Sequence, residues 1–501
     1  MSEDAAMTAQ ASNPGRSLNI LFINGLLAGD FSGLDIGLTV LATHVNRYTR
    51  HRAAIADLAF HRKQWRAHLH AEIEKKRPDV IAISCNTMYM KYVREILAEI
   101  CKRHDLPVIA GGHHATVHPE DVFAIPQVQA LVIGDGEDAL AAWLDRIADG
   151  RSCEGIQGLW VKLPGGGELR NPGGGFLPSL DRLPYLDWDL WDDLDVYFRF
   201  LGMLYVQGSR GCPYRCTFCD ARGYADALKD SGRYFRLRDP RAFADELAYY
   251  WERYHHRGMR LFQVFDPVFT MNTKWVEAFC ERYRELGLHE KIRYSVFSRI
   301  DHLDEAKVRL LARSGCALLR VGIEAGDDKI RRDVYGKKIT TETIRRIIGI
   351  AKENGLDFTA FYIIGGPAET RETFTSTVRL AWELDAARSA FFVYKPFTEA
   401  GRAQIEAAGG GVDEKRFAEA DNISFGGTTS GQGWGPRTAE AFQMAGYGLT
   451  FGRRLARMVA RRKLGYFTAL ASYMADAVKY GLDLKYAAMY FHIYEGDNVD
   501  R

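Results

Sequence analysis

The chain has almost no net charge to speak of. In its 501 residues, 66 Lys plus Arg stand against 64 Asp plus Glu, a formal charge of +2, so nothing supports a polyanionic partner across the whole surface, and no nucleic acid is expected. Cysteine is scarce too: eight residues are too few for a disulfide scaffold in a chain of this length. No apolar run approaches the roughly 18 residues of a membrane span, and Met1 to Ser17 carries Glu3 and Asp4 with no apolar block, unlike a secretory leader. The expectation is a cytoplasmic chain with reduced thiols, no integral membrane segment and a disordered tail over residues 1–17. With 47% hydrophobic residues it can bury substantial cores, and its length suggests about three domains at roughly 150 residues each.

Short apolar runs alternate with helical spacing through the first third. Leu18–Asn24, Val80–Ser84, Pro107–Gly112 and Ala130–Gly134 read as buried parallel strands, while Met88–Arg103 and Glu137–Ile147 space their apolar residues as helices do. Residues 18–150 are therefore expected to form an α/β, doubly wound, Rossmann-like sheet. Ligands bind such sheets at the carboxyl ends of the strands. Those ends here are rich in small residues, with Ser84, Gly111, Gly112, His113, Gly134, Gly136 and Glu137 as contact candidates for a large flat ligand. Residues 151–198 read as a hairpin around Pro164–Gly167 and an extended connector at Leu180–Pro184. Six further runs between Leu204 and Tyr394 alternate with helical stretches, predicting a partial (β/α)6 barrel over 199–400 with its chemistry at the strands' carboxyl ends. Residues 401–501 combine glycine-rich loops with mostly helical sequence.

The cysteines are not spread evenly. Cys212, Cys216 and Cys219 fall within Gly-Cys-Pro-Tyr-Arg-Cys-Thr-Phe-Cys directly after the first of the six runs. Three thiolates on one loop can hold three irons of a four-iron cluster and leave the fourth open to a ligand. Structural zinc would want a fourth Cys or His close by, and the next histidines are His255 and His256. A cluster used only for electron transfer would usually have four ligands.

With Phe218 before its last cysteine, this loop resembles the signature of the radical S-adenosylmethionine (SAM) enzymes. The resemblance implies that the open iron chelates the methionine amino and carboxylate groups, and that the reduced cluster generates a 5'-deoxyadenosyl radical. Segments around Asp266, Ser298–Arg299, Glu324 and Gly365–Gly366 also resemble that superfamily. In physical terms Arg299 suits a carboxylate, Glu324 ribose or amino donors, and the two glycines close backbone approach to adenine. Together with Phe218, Asp266 and Ser298 these are the SAM-contact candidates; no catalytic residue is assigned. After Pro367 the chain reads Ala368-Glu369-Thr370, a departure from the family's usual second Pro-Gly pair.

A Rossmann-like domain ahead of a radical barrel, joined by a hairpin and a Leu-Asp-x-Leu-Pro connector, resembles the cobalamin-binding branch. Many cobalamin domains carry Asp-x-His-x-x-Gly after the first strand; here Asn24-Gly25-Leu26-Leu27-Ala28-Gly29 places Leu26 at the histidine, so that loop offers no lower axial His. Gly25–Gly29 is also not Gly-x-Gly-x-x-Gly, which speaks against a dinucleotide. The family implies a [4Fe-4S] cluster, SAM and cobalamin as cofactors, a flavodoxin- or ferredoxin-like electron donor, and methylation of an unactivated carbon in a natural-product, peptide or lipid substrate. Cyclisation or rearrangement without methyl transfer is the alternative. Near the C-terminus, Arg453, Arg454, Arg457, Arg461, Arg462 and Lys463 form a basic helical stretch, expected to be mainly a solvated face covering the barrel, with docking to a membrane surface or to an anionic substrate as the other readings.

Overall fold

A computed structural model describes residues 15–27, 34–420, 426–460 and 464–480, together with 482, 484, 487, 488 and 491. The chain divides into two compact units, one running to Leu194 and adding Gly223–Tyr234, the other comprising Asp195–Arg222 and everything from Phe235. The expected tail lies outside the described residues up to position 14. From there on the chain is tied down: Arg16 pairs with Asp79, and the Ser17 hydroxyl donates to the Arg50 carbonyl at 2.7 Å.

The first unit holds seven strands: β1 (Asn19–Asn24), β2 (Arg52–Asp57), β3 (Val80–Ser84), β4 (Val108–Gly111), β5 (Val128–Val132), β6 (Leu159–Lys162) and β7 (Glu168–Arg170). Their order is β2-β1-β3-β4-β5-β6-β7, parallel through β5 and antiparallel beyond it. Four of the parallel strands stand where the apolar runs predict them. β2 does not announce itself, because Arg-Ala-Ala-Ile-Ala-Asp has one branched apolar residue and charges at both ends; its pairing with β1 and its contact with the helix Ile36–Tyr48 bury it. The Ile156–Phe176 hairpin, expected as a link between domains, instead extends this sheet, with Val161 opposite Ala130 of β5. Leu21, Ile81, Ile83, Ile96, Leu97 and Ile100 form the heart of one core, each contributing roughly 1.5–3 kcal/mol by leaving water.

In the second unit, β8 (Met203–Val206) leads to a small ladder of β9 (Ser209–Arg210) and β10 (Arg236–Leu237). Five strands then follow: β11 (Leu261–Val264), β12 (Arg293–Ser298), β13 (Cys316–Glu324), β14 (Asp357–Ile364) and β15 (Arg388–Val393). The main sheet is β15-β14-β13-β12-β11-β8, parallel throughout, with helices between strands. This is the predicted six-stranded half barrel, legible because each strand is a run of branched and aromatic residues bounded by turns. β16 (Gly411–Val412) pairs with β17 (Thr429–Ser430) beyond it.

The helix Pro436–Ala460 covers β15, where Tyr447 meets Phe391 at 5.5 Å. Its arginines are less solvated than expected. Arg454 is buried and donates to the Ala387 carbonyl, and Arg453 and Arg457 converge on Asp385, which ends the helix Arg371–Leu384 in a left-handed conformation. A cation beside a helix C-terminus meets the carbonyl end of the helix dipole. Positions 461–463 of the basic stretch lie outside the described residues. Among the described residues, no helix is long and apolar enough to cross a membrane.

Candidate active site

The three-cysteine loop leaves the carboxyl end of the half barrel through Gly208 and the short strand β9. Asp266, just past the end of β11, is fully buried, and its Oδ1 accepts the Gly208 and Ser209 N–H groups at 2.7 and 3.0 Å. Burial pushes its carboxyl up to about 7. Asp266, expected as a SAM contact, thus holds with Oδ1 the backbone that launches the loop, while among the described residues its buried Oδ2 has no hydrogen-bond partner. Gly211 takes φ +83°, a conformation that favours glycine. The far side of the loop is held by the Thr217 hydroxyl, which donates to the Val334 carbonyl at 2.6 Å, and by Thr398, which donates to the Thr217 carbonyl at 3.0 Å.

Cys216 is buried, and Cys212 and Cys219 are half-buried. Burial pushes the Cys219 thiol up to about 12 and raises that of Cys212, each further raised by its cysteine neighbours. Arg299 lies over the ring of Tyr214 at 3.7 Å and donates from Nη1 to Cys216 Sγ at 3.4 Å. The sequence pointed Arg299 at a ligand carboxylate. Its Nε and Nη2 are instead occupied by Asp301 at 2.9 and 2.8 Å, and its remaining donor faces the cysteine. Beside it, Ser298 Oγ shares a 2.5 Å hydrogen bond with Thr270 Oγ1.

Glu324, closing β13, has φ +68° and pairs with Lys337 in buried surroundings; Lys337 also donates to the Gly322 carbonyl at 3.1 Å and lies 5.8 Å from the Phe218 ring centre. Phe218 meets Tyr335 edge-on at 5.4 Å. Gly365 (φ +89°) and Gly366 follow β14, and a side chain at Gly366 would collide with the Tyr335 hydroxyl. The Gly366 N–H donates to Glu369 Oε2 at 2.8 Å, while Glu369 Oε1 is buried with no hydrogen-bond partner among the described residues. Burial pushes the Glu369 carboxyl up to about 8. Lys337, Tyr335 and Glu369 were not singled out from sequence. Glu369 had a signal, a carboxylate three residues after a glycine pair, whereas Lys337 reads as one of many surface lysines until the fold buries it.

Strand register separates the two faces of this sheet. Tyr294, Val296, Leu319, Val321, Ala360, Tyr362 and Phe391 face the helices and are buried. The opposite, inner face carries an unbroken row of rings. Tyr205 meets Phe265 at 4.9 Å, Phe265 meets Phe297 at 5.3 Å, Phe297 meets Phe361 at 6.0 Å, and Phe361 meets Phe392 at 5.8 Å. Phe265 remains 41% exposed, which distinguishes this row from core. It runs directly below Asp266, Ser298 and Gly365, one to four residues upstream on the same strands.

In the first unit the strand ends converge as the small residues suggested. Gly112 adopts φ +95°, and a Cβ there would stand 2.8 Å from Ser84 Oγ. Gly134, at φ +94°, bridges to Gly175, and its N–H donates to Thr116 Oγ1 at 3.0 Å. Gly111 ends β4, Gly136 caps the helix Glu137–Ala148, and Glu137 is buried. His114 is locked between Thr87 Oγ1 and Asp121 Oδ2, both at 3.0 Å, so it supports the helix rather than facing outward. His113 rests 5.1 Å from the ring of Tyr224, which together with Phe176 and Tyr234 makes an aromatic group at this edge. Sequence spacing gave no hint of Tyr224 or Tyr234, since their segment returns to this unit from beyond the cysteines.

The model of the radical SAM superfamily matches residues 206–381, and that of the B12 binding domain matches residues 28–144. An uncharacterized methyltransferase of Pyrococcus horikoshii is 30% identical over 331 residues, covering 65% of this chain and 68% of that protein. The chain belongs to the cobalamin-binding radical SAM enzymes. The anaerobic magnesium-protoporphyrin IX monomethyl ester cyclase of Rubrivivax gelatinosus is 26% identical, over 66% of this chain and 59% of its own length. Among solved structures, the radical SAM methyltransferase TsrM of Kitasatospora setae, with cobalamin and a [4Fe-4S] cluster bound, aligns at TM-score 0.63 and 22% identity, covering 77% of this chain and 74% of that one.

The cofactors of this radical SAM family are the [4Fe-4S] cluster, SAM and cobalamin. The residues present suit them. Among the described residues no three His, Cys, Asp or Glu side chains gather as a single metal ion would need, whereas a cluster takes each thiolate on a separate iron. Each thiol must lose its proton to ligate iron, and Arg299 beside Cys216 is placed to stabilise the resulting thiolate. The glycines at 112 and 134, where a Cβ would clash with Ser84 and with the Gly175 backbone, let the chain pack closely at the strand ends where such sheets bind their ligands.

Proposed function

We propose that this enzyme methylates an unactivated carbon of an apolar natural-product, peptide or lipid substrate. The observation that carries the reading is that the cysteine loop and the row of rings from Tyr205 to Phe392 both stand at the carboxyl end of the half barrel, with Phe265 of the row exposed. Cys212, Cys216 and Cys219 would hold the cluster. Phe218, Ser298, Glu324, Gly365 and Gly366 would surround SAM, and Arg299 would donate to a cluster thiolate. Ser84, Gly111, Gly112, His113, Gly134, Gly136 and Glu137 would line the corrin site, with no axial histidine from the Gly25–Leu27 turn. Bound together, these groups supply a hydrogen-abstracting radical and a methyl donor. The chain's own part is to exclude competing hydrogen donors: Phe265, Phe297, Phe361 and Phe392 offer a substrate ring faces in place of water. An electron donor of flavodoxin or ferredoxin type would reduce the cluster.

Likeness to the magnesium-protoporphyrin cyclase favours a second reading, ring closure without methyl transfer. One experiment separates the two. Protein loaded anaerobically with iron, sulfide and cobalamin is reduced and given SAM labelled in its methyl group. Methyl label on the corrin with S-adenosylhomocysteine supports methylation. Deoxyadenosine with an unlabelled corrin supports ring closure, and failure to retain corrin refutes the cobalamin assignment. Cys212→Ala, Cys216→Ala and Cys219→Ala are each expected to abolish deoxyadenosine formation.

A further inference from the structure

Between Glu440 and Asp476 the chain has no acidic residue and six basic ones, Arg453, Arg454, Arg457, Arg461, Arg462 and Lys463. Most of the first half of this stretch lies on the helix Pro436–Ala460, whose inner side covers β15. Its outer side is exposed at Arg437 and then at Ala441, Met444, Ala445, Gly448, Leu449, Gly452, Ala456 and Val459, a strip that beyond Arg437 has no charged or hydrogen-bonding side chain. Met444 is 52% exposed, Leu449 48% and Val459 60%. Solvated helix faces ordinarily carry charge. Next to the strip the helix Arg371–Leu384 presents Trp382, 45% exposed, and between the two helices a mostly apolar pocket of about 340 Å³ is lined by Thr375, Val378, Arg379, Trp382, Phe442 and Leu449.

The acids of this region are engaged. Asp385 pairs with Arg453 and Arg457, Glu383 with Arg345, and Glu440 with Arg416. Arg453 also lies over the Trp382 ring at 4.6 Å. The face thus joins large exposed apolar side chains, a tryptophan backed by a cation, and a basic flank. That combination suits a helix lying in the plane of an anionic bilayer, with its apolar side among the acyl chains and the exposed Arg437 and part-exposed Arg453 and Arg457 at the headgroups.

We propose that the outer face of the helix Pro436–Ala460, with Trp382 beside it, docks the enzyme on an anionic lipid surface. The reading is independent of the reaction catalysed. The test uses the full-length, cofactor-loaded protein and extruded vesicles of phosphatidylcholine with or without phosphatidylglycerol, separated by flotation. The protein is expected to float with the phosphatidylglycerol vesicles, at least tenfold more tightly than with phosphatidylcholine alone, and to be released as salt rises. Leu449→Glu and Met444→Glu, at exposed positions remote from the inner face of the barrel, are expected to weaken flotation at least tenfold while melting temperature and deoxyadenosine formation stay unchanged. No flotation with the anionic vesicles, or equal flotation by both variants, overturns the proposal. So does a concentration-dependent dimer in sedimentation that both variants abolish, since a second copy would then be the occupant.

Discussion

Glu369 shows what a single sealed carboxyl group does to this molecule. Its usual value is 4.5, and burial raises it to about 8 in the folded chain, so the fold favours the protonated form. The stability it contributes is complete below the unfolded value and is lost as pH rises through the folded one. Glu369→Gln keeps an acceptor for the Gly366 N–H and cannot ionise. The parent's melting temperature is therefore expected to fall by several degrees more than the variant's between about pH 5 and 9, and thermal melts across that range check it; equal slopes would refute the assignment. The cysteine loop and the small residues at the strand ends could be picked out from sequence because their spacing is local, and the structure places both at the ends of strands. The contacts of Arg299 with Asp301 and Cys216 were not legible in the sequence, since they depend on neighbours that only the fold supplies.

At the level of elements, β13 illustrates how a strand can be shaped by what lies over it. A Cβ at Gly322 would come within 2.7 Å of Lys337 Nζ, so the glycine makes room for the Glu324–Lys337 pair. Gly322→Ala is expected to lower stability by about 1–3 kcal/mol through overpacking. Lys337→Met, which leaves Glu324 buried without its cation, is expected to cost about 3–5 kcal/mol. Denaturant titration measures both, and a loss in Gly322→Ala as large as in Lys337→Met would show that the pair is not the reason for the glycine. Strands with branched apolar runs were readable from sequence, as all six of the half barrel were. β2 was not, since an alanine-rich segment becomes a strand only when a neighbour pairs with it.

For the whole molecule, a ligand that binds only the folded state stabilises by mass action. Cobalamin at about a hundred times its dissociation constant is expected to add about 2.7 kcal/mol to the first unit, read as a rise in its calorimetric transition. Gly112→Val, which puts a branched side chain at φ +95° against Ser84, is expected to remove that rise; an unchanged response would move the corrin away from these strand ends. What the sequence determined by itself was the order of two α/β units, the cluster loop and the glycine-lined strand ends, because hydrophobic period, turn chemistry and cysteine spacing act over a few residues. Only the tertiary structure decided that Gly223–Tyr234 returns to the first unit, that the 156–176 hairpin widens its sheet, that five rings align on one face of the half barrel, and that Lys337 and Glu369 are buried beside the site. Each of those depends on contacts between residues far apart in the chain, whose burial and register no local pattern encodes.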